Sequence, residues 1–323
     1  MPSVPVRVVP FGQWSLMEVC TKTHRAAFLL RPDVFMSRIP LGLLRRCQQK
    51  YPGVRLHVPN FLSNHYHLLV STRDPVSLAR FMNLFNSLLA RVVNLYLGRR
   101  DAVWGQTYSA IRVMPSKEPE RARYVFGQGL DEGLFERVHH NPCAQAVEAL
   151  TQGKTLKGLD VDLAAWSQAK KRDPKVGPEK FCKEVAVPLH PLPSIAHLAP
   201  AQQQAWWRQL AKDAEASGAA ERVARNIARV LGAEGMRRQD PFKVPAQTKS
   251  GASAPLWFAD EEEAAALAEE RTATLEQRAV AQEKWVKFLP LVGMPASVHI
   301  PPELACAGRR CGVRTDGEGL PGG

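Results

Sequence analysis

Hydrophobic and polar positions in the first half of the chain follow two periods in turn, which predicts alternating strands and helices. The segment VRLHVPNFLS, from Val54, alternates apolar and polar residues as a half-buried strand does. Between Leu78 and Val93 the apolar residues recur at helical spacing, and Gly98 follows as a stop. The pattern predicts strands that start near residues 17, 54, 65 and 102, and helices over 33–53, 74–98 and 118–135.

The order strand, helix, strand, strand, helix, strand defines the expected fold. It predicts an α+β domain with a ferredoxin-like antiparallel sheet, the second and third strands paired, and two helices on one face. Pro40 predicts a kink or a break in the first helix. Gly127 and Gly129 weaken the centre of the third helix. A fold of this type serves many functions, so function has to be argued from the side chains.

The character of the chain changes near residue 150, where we predict a domain boundary. Residues 151–323 are expected to form a mostly helical, linker-rich extension with no obvious chemistry. Helices are predicted over 201–216, 220–232 and 259–289, connectors or linkers over 151–162, 170–181, 188–200 and 245–255, and a loose tail over 307–323.

Charge is distributed unevenly along the chain. The formal net charge is +12; residues 1–150 carry 19 Lys and Arg against 10 Asp and Glu, and the remainder carries 24 against 21. A polyanionic partner is therefore expected for the first half, and nucleic acid is the commonest one for so basic a protein. Charge alone does not separate nucleic acid from an acidic membrane surface.

Cysteine spacing and hydropathy indicate the compartment. The six cysteines form no CxxC pair, which is typical of unpaired thiols in a reducing environment. No apolar stretch approaches the about 20 residues of a membrane helix, and the N-terminus lacks the features of a signal peptide. The sequence therefore predicts a soluble intracellular protein with no membrane partner.

The segment FLSNHYHLLVS places two histidines one residue apart in a predicted strand. Alternate side chains of a strand share a face, so His65 and His67 would project side by side while Tyr66 points to the other surface. Such a pair can hold a divalent metal. Further ligands at standard zinc spacing are missing, so Mg²⁺ or Mn²⁺ with phosphate oxygens fits the basic charge better. Two half-exposed strand histidines without a ligand are the alternative.

A metal held against a phosphodiester needs a nucleophile, and a tyrosine phenolate can attack phosphorus. Among the five tyrosines, the predicted elements leave Tyr108 and Tyr124 as candidates. Tyr124 is favoured because Gln128 lies one helical turn further on, where its amide oxygen can complete a metal's ligands or orient a phosphate. Arg121 and Arg123 would favour the negative transition state. An ordinary amphipathic-helix tyrosine is the alternative.

Three blocks of the first half, taken in order, resemble a known family. LSNHYHLLVS, VWGQTYSAIRV and RYVFGQGLDEGLFERVHHNP are similar to segments of the single-tyrosine HUH transposases, particularly the insertion-sequence-200-like group that includes the REP-associated tyrosine transposases. The resemblance covers about Val19 to Gly153. An ordered set of blocks is far more specific than the histidine pair by itself.

The resemblance implies an HUH endonuclease fold over residues 1–150. It implies that His65 and His67 bind Mg²⁺ or Mn²⁺, that Gln128 is a third metal ligand, and that Tyr124 attacks a DNA phosphate to leave a 5′-phosphotyrosine and a free 3′-hydroxyl. The implied partners are single-stranded DNA with hairpin structure and a second copy of the chain in a homodimer. The implied role is transposition by a mobile element in a prokaryotic cytoplasm, on the nucleoid when DNA is bound.

Two other functions stay open at this point. A catalytically silent or domesticated sequence-specific DNA-binding protein would bind hairpins without Tyr124 and form no covalent adduct. A metal-dependent phosphoesterase would use the two histidines without a tyrosine, but such enzymes generally need further carboxylate or histidine ligands. The nearest upstream histidine, His57, lies eight residues before His65.

Overall fold

A computed structural model describes Val9, residues 12–245, Pro255 and residues 257–288, without the side chains of residues 278 and 281–288. The chain divides into two compact units, Met1–Glu270 and Arg271–Gly323. In the described ranges the strands are β1 (Ser15–Lys22), β2 (Val54–Phe61), β3 (His65–Thr72), β4 (Ser109–Val113), β5 (Lys157–Val161), β6 (Cys182–Ala186) and β7 (Trp257–Phe258). The helices there are α1 (Ile39–Lys50), α2 (Pro75–Leu97), α3 (Glu118–Phe126), α4 (Val147–Gln152), α5 (Leu163–Arg172), α6 (Pro200–Ala224), α7 (Gly232–Arg237) and α8 (Glu261–Phe288).

The first unit is built on a sheet with the strand order β2-β3-β1-β4-β7. The first four strands are antiparallel to their neighbours, and β7 joins the edge of β4 in parallel. Because α1 connects β1 to β2 and α2 connects β3 to β4, the order is that of a ferredoxin-like fold. The predicted α+β class and the pairing of the second and third strands are confirmed.

Helices α1 and α2 contact each other on one face of this sheet, as expected. Asp74 is the N-cap of α2, and its carboxylate accepts a hydrogen bond from the Ser77 amide at 2.7 Å. Gly98 ends it in the left-handed conformation, with φ of 66°. On the apolar side of α2, Phe85 packs edge to face against Tyr66 of β3 with ring centroids 5.5 Å apart.

Helix α3 contacts β2 and β3, and it lies on the face opposite α2. The Asn60 side chain of β2 donates to the Val125 carbonyl of α3 at 2.6 Å. The helix ends at Phe126, so the predicted helix over 118–135 was too long. Gly127 follows the last helical residue, and Gly129 has a φ of +96° that an L side chain rarely adopts. The residues after α3 therefore form a turn.

Two other details of the first half differ from the prediction. Pro40 does not break α1, because the helix begins at Ile39 and a proline in the first turn has no amide bond to lose. The fourth strand starts at Ser109, so it is shorter than the strand predicted to start near residue 102. Before it, the Trp104 indole donates to the Asn86 carbonyl of α2 at 2.9 Å.

The second half contains a sheet that the sequence did not predict. Strand β5 falls within the expected connector 151–162, and it pairs antiparallel with β6 while packing against α1. One helix, α6, replaces the predicted helix over 201–216 and part of the next. Gly218 lies where a break was expected, but a Cβ there would come within 2.7 Å of Leu130. The glycine therefore permits close packing instead of ending the helix.

Residues 151–270 belong to the same compact unit as residues 1–150. The predicted long helix over 259–289 is present as α8. The tail at 307–323 and most of the linker at 245–255 lie outside the described residues. The four described cysteines are free thiols. Within the described ranges, none of the helices combines the length and apolar character needed to cross a membrane.

Backbones come into direct contact where α1 meets β5. A Cβ on Gly42 would lie 2.1 Å from the Leu159 carbonyl oxygen, and a Cβ on Gly158 would lie 2.4 Å from the Gly42 nitrogen. Real Cβ contacts are never this short, so both positions require glycine. The small sheet is thereby fixed to the first helix of the ferredoxin-like core.

We expect Gly42→Ala to lower the free energy of unfolding by about 1–3 kcal/mol, because the added methyl forces β5 away from α1. In an isolated helix the same substitution would raise the stability by about 1 kcal/mol. The sign of the change in the free energy of unfolding therefore shows whether β5 packs closely against Gly42. Urea denaturation measures it. Gln49→Ala, at an exposed position of the same helix, should stay within about 0.5 kcal/mol of the native protein. A Gly42→Ala protein as stable as the native one would contradict the close approach.

Candidate active site

The predicted histidine pair lies at the start of β3, on the face that α3 covers. In the β1–β3 register His67 is opposite Cys20 and His65 is opposite Lys22. The two imidazole rings are edge to face with centroids 5.3 Å apart. Tyr66 points to the other side, where it is fully buried and its hydroxyl bonds to Thr21. The structure thus brings His65 and His67 together on one face, as the alternation predicted.

Each imidazole has an oxygen acceptor at its Nδ1 atom. His65 Nδ1 is 2.8 Å from Asn64 Oδ1, and His67 Nδ1 is 2.9 Å from Glu18 Oε1. Both partners accept, so the proton of a neutral ring is on Nδ1 and its lone pair is on Nε2. Metal-binding histidines in proteins usually have this arrangement, since the partner orients the ring and raises its basicity.

Gln128 reaches the pair from the turn after α3. Its Oε1 atom is 3.4 Å from His65 Nε2, and its Nε2 atom is 3.5 Å from the Tyr124 carbonyl, which sets the direction of the amide. A neutral His65 with its proton on Nδ1 presents a lone pair to this oxygen. Two acceptors that face each other are stabilised by a cation between them, so this pair of atoms fits a metal ion.

The turn is positioned by packing from the second half of the chain. Trp207 of α6 packs on Phe126 with ring centroids 5.1 Å apart. A Cβ on Gly127 would lie 3.1 Å from the Ala214 Cβ of the same helix. Gly129 is packed closely as well, because a Cβ there would lie 2.7 Å from the Phe135 ring. Helix α6 therefore supports the turn that carries Gln128.

The two histidines have opposite pKa shifts. Burial, aided by the charge of His67, lowers the pKa of His65 to about 3, so this ring is neutral at neutral pH. Burial also lowers the pKa of His67, but Cys20 and Glu18 outweigh it and raise the value to about 9. The Nε2 atom of His67 is 3.6 Å from Cys20 Sγ. A metal ion on His67 would replace the proton at that nitrogen.

The donor set is two imidazole nitrogens and one amide oxygen. Across the described ranges, no group of three or more His, Cys, Asp or Glu is placed to hold a metal ion. His65, His67 and Gln128 would therefore leave several positions of the ion to water and phosphate oxygens, as Mg²⁺ or Mn²⁺ sites in phosphoryl-transfer proteins do. Their roles as ligands stay predictions.

Glu18 is a residue of the site that the sequence reasoning missed. It is 3% exposed, and its second oxygen accepts from Arg121 Nε at 2.8 Å and Nη2 at 2.6 Å. Burial raises the pKa of Glu18, but the hydrogen bond and charge of His67, together with Arg121, outweigh burial and lower it. A single acid inside the apolar strand segment SLMEVCTK was the available signal. Its partners are distant in sequence, so spacing did not reveal them.

Tyr124 of α3 lies beside His67. Its ring is edge to face with His67, with centroids 5.7 Å apart, and its side of the helix is open, with 42% of the residue exposed. Tyr108, the other candidate nucleophile, is only 4% exposed. Burial and then the charge of Glu18 raise the pKa of Tyr124, so the hydroxyl is protonated at neutral pH. Attack on phosphorus would require removal of this proton.

The two arginines of α3 have different positions. Arg123 is exposed. The Arg121 guanidinium is bonded to Glu18 and lies 3.9 Å from the centroid of the Tyr124 ring. Two of its nitrogens are therefore occupied by a buried carboxylate rather than open to a phosphate. His57 lies outside the site, since its nitrogens bond to Ser71 Oγ at 2.7 Å and to the His190 carbonyl at 3.0 Å.

Comparison with known proteins finds a structural neighbour of low similarity. No protein-family model matches the chain, and a search of curated proteins finds no match. Among solved structures, the chain is similar to a REP-associated tyrosine transposase bound to a REP hairpin, with 12% sequence identity and a TM-score of 0.37. The alignment covers 47% of this chain and 87% of that one. A likeness at this level does not identify the chain.

We expect Glu18→Gln to weaken Mn²⁺ binding by about 10–100-fold, because a neutral amide no longer polarises the Nδ1 proton of His67. Titration calorimetry with Mn²⁺ measures the affinity. Glu270→Gln is the matched control, since it alters another carboxylate–arginine pair, with Arg112 at 2.7 Å, away from the histidines. Native affinity in Glu18→Gln would show that His67 is not a ligand or does not depend on Glu18.

Proposed function

We propose that the protein is a single-tyrosine HUH transposase that cleaves and rejoins single-stranded, hairpin-bearing DNA. The observation that carries the proposal is the placement of the Tyr124 ring against His67, beside His65 and Gln128, within one chain. A nucleophile next to an imidazole and amide donor set is the arrangement that metal-assisted phosphoryl transfer requires. The ordered sequence blocks that resemble this family give independent support.

Strand cleavage would use Tyr124 as the attacking group. The phenol loses its proton to solvent, its oxygen forms a bond to the DNA phosphorus, and the bond from phosphorus to the 3′ oxygen breaks. The 3′ oxygen takes up a proton from water, which leaves a 5′-phosphotyrosine and a free 3′-hydroxyl. Attack by another 3′-hydroxyl on the phosphotyrosine reverses these steps and joins the strands.

A bound Mg²⁺ or Mn²⁺ would supply charge stabilisation at the phosphate oxygens. His65, His67 and Gln128 would hold the ion beside Tyr124. Glu18 and Asn64 would orient the imidazoles, since each accepts from an Nδ1 atom. We propose that the chain acts on DNA as a homodimer of a prokaryotic mobile element.

A covalent adduct is the decisive product. With Mg²⁺ or Mn²⁺, labelled single-stranded hairpin DNA from the flanks of the gene should become attached to the protein and migrate with it on a denaturing gel. Tyr124→Phe should abolish the adduct because the attacking oxygen is lost, and His65→Ala should abolish it because a metal ligand is lost. The adduct should be absent when the metal is chelated.

Tyr51→Phe is the matched control, since it removes a phenolic hydroxyl at the end of α1 and should leave the adduct unchanged. Hairpin binding that persists in the native protein and in both site variants, without any adduct, would favour the silent DNA-binding alternative. Cleavage that is metal-dependent but unaffected by Tyr124→Phe would favour a phosphoesterase.

DNA affinity should fall steeply with salt, because binding of phosphates by Lys and Arg releases counterions. Arg123 is exposed on the same helix as Tyr124, so Arg123→Gln should reduce the slope of log K against log salt by about 1. Fluorescence anisotropy with a single-stranded hairpin measures it. Arg172 is exposed at the end of α5, so Arg172→Gln is the control and should leave the slope unchanged. Equal slopes for the native protein, Arg123→Gln and Arg172→Gln would exclude Arg123 from the DNA contact.

A further inference from the structure

The guanidinium of Arg121 lies between two aromatic rings. Its central carbon is 3.9 Å from the ring centroid of Tyr124 and 3.8 Å from the ring centroid of Phe258. Its Nε and Nη2 atoms are bonded to Glu18 Oε2. A buried carboxylate at the edge and a ring on either side leave the guanidinium little freedom to move.

Phe258 comes from a part of the chain far from the family-like first half. It belongs to β7, where Val113 is its partner in the parallel pairing with β4. The Met114 amide donates to the Phe258 carbonyl at 2.8 Å. Glu263 accepts a hydrogen bond from the Ser116 hydroxyl, and Glu270 pairs with Arg112 at 2.7 Å. Residues 257–270 are therefore attached to β4 and to the segment that leads into α3.

Tyr124 depends on this arrangement because so much of its side chain is open. With 42% of the residue exposed, the ring is restricted on its inner side, where it contacts the Arg121 guanidinium and the His67 ring. Arg121 precedes it by three residues on α3, and such neighbours face each other on a helix. The guanidinium, 3.9 Å from the ring centroid, thus limits the rotation of the Tyr124 ring.

We propose that Arg121 and Phe258 are positioning residues for Tyr124, so that a strand beyond residue 250 completes the nucleophile site. Phe258 holds the guanidinium against Tyr124 from the other side, and Glu18 fixes the direction in which the guanidinium lies. The chain from Glu18 to Arg121 to Tyr124 also joins the nucleophile to His67, which shares the same carboxylate. The inference rests on the proposed function, since it concerns the orientation of its nucleophile.

The first experiment measures adduct formation under single-turnover conditions with saturating Mn²⁺ and hairpin DNA, using the full chain. Phe258→Leu keeps an apolar side chain in β7 but removes the ring face, and it should slow adduct formation about tenfold or more by misplacing the attacking oxygen. The dissociation constant for DNA should change less than about twofold, because Phe258 acts through Arg121. Phe258→Tyr restores the ring and should restore the rate.

Trp257→Leu is the matched control, because it removes an aromatic ring from the neighbouring position of the same strand and should keep the native rate. Arg121→Lys separates positioning from simple charge. Lysine keeps the positive charge but has neither the flat face nor the fork that binds Glu18, so it should be as slow as Phe258→Leu. The proposal would be overturned if Phe258→Leu formed the adduct at the native rate or faster. It would also be overturned if Arg121→Lys formed the adduct at the native rate.

A second measurement is independent of activity. Incorporation of 3-fluorotyrosine gives one fluorine signal for each of the five tyrosines, and Tyr124→Phe identifies the signal of Tyr124. Phe258→Leu should shift or broaden that signal, while Trp257→Leu should leave it in place. If the native protein forms no adduct, the proposed function fails while this spectrum still decides whether Phe258 positions Tyr124. An unchanged Tyr124 signal in Phe258→Leu would overturn the inference.

Discussion

The buried carboxylate of Glu18 is the interaction on which the rest of the site depends. An ionised carboxylate in the interior is costly unless charged partners surround it. Glu18 has two such partners, His67 on β3 and Arg121 on α3, and they outweigh the effect of burial on its pKa. One side chain on β1 therefore ties the central strand pair to the helix that carries Tyr124. Without it, the sheet and the helix would share no charged contact at this point.

The sequence predicted the parts of the molecule that depend on local period. Alternation along β3 placed His65 and His67 on one face and Tyr66 on the other, and helical spacing followed by Gly98 predicted the long helix α2. The same reasoning failed wherever a long-range contact decided the outcome. The extent of α3 is one case, because it is limited by a turn of glycines packed against Phe135 and α6. Glu18 is another, because its partners are far away in sequence.

Two glycines of the second half led to wrong predictions for the same reason. In a sequence, Gly158 indicates a connector and Gly218 indicates a break in a helix. In the structure each glycine allows a close approach, of β5 to α1 and of α6 to Leu130. Packing against the first half, rather than propensity, makes these segments a strand and a helix interior. Residues 151–270 are thus part of the same compact unit as the first half, and α6 supports the turn that carries Gln128.

The two faces of the sheet explain how one fold accommodates a core and a reactive surface. On the α2 side, Met17, Val19 and Tyr66 are buried among apolar residues. On the opposite side, Glu18, Cys20 and the two histidines form a polar surface that an ordinary apolar helix could not cover. Helix α3 suits it because Arg121 donates to Glu18 while Val125 and Phe126 stay buried. The turn after the helix brings the Gln128 Oε1 atom to 3.4 Å from His65 Nε2. The polar face therefore requires this helix, and the helix places Tyr124 beside the histidines.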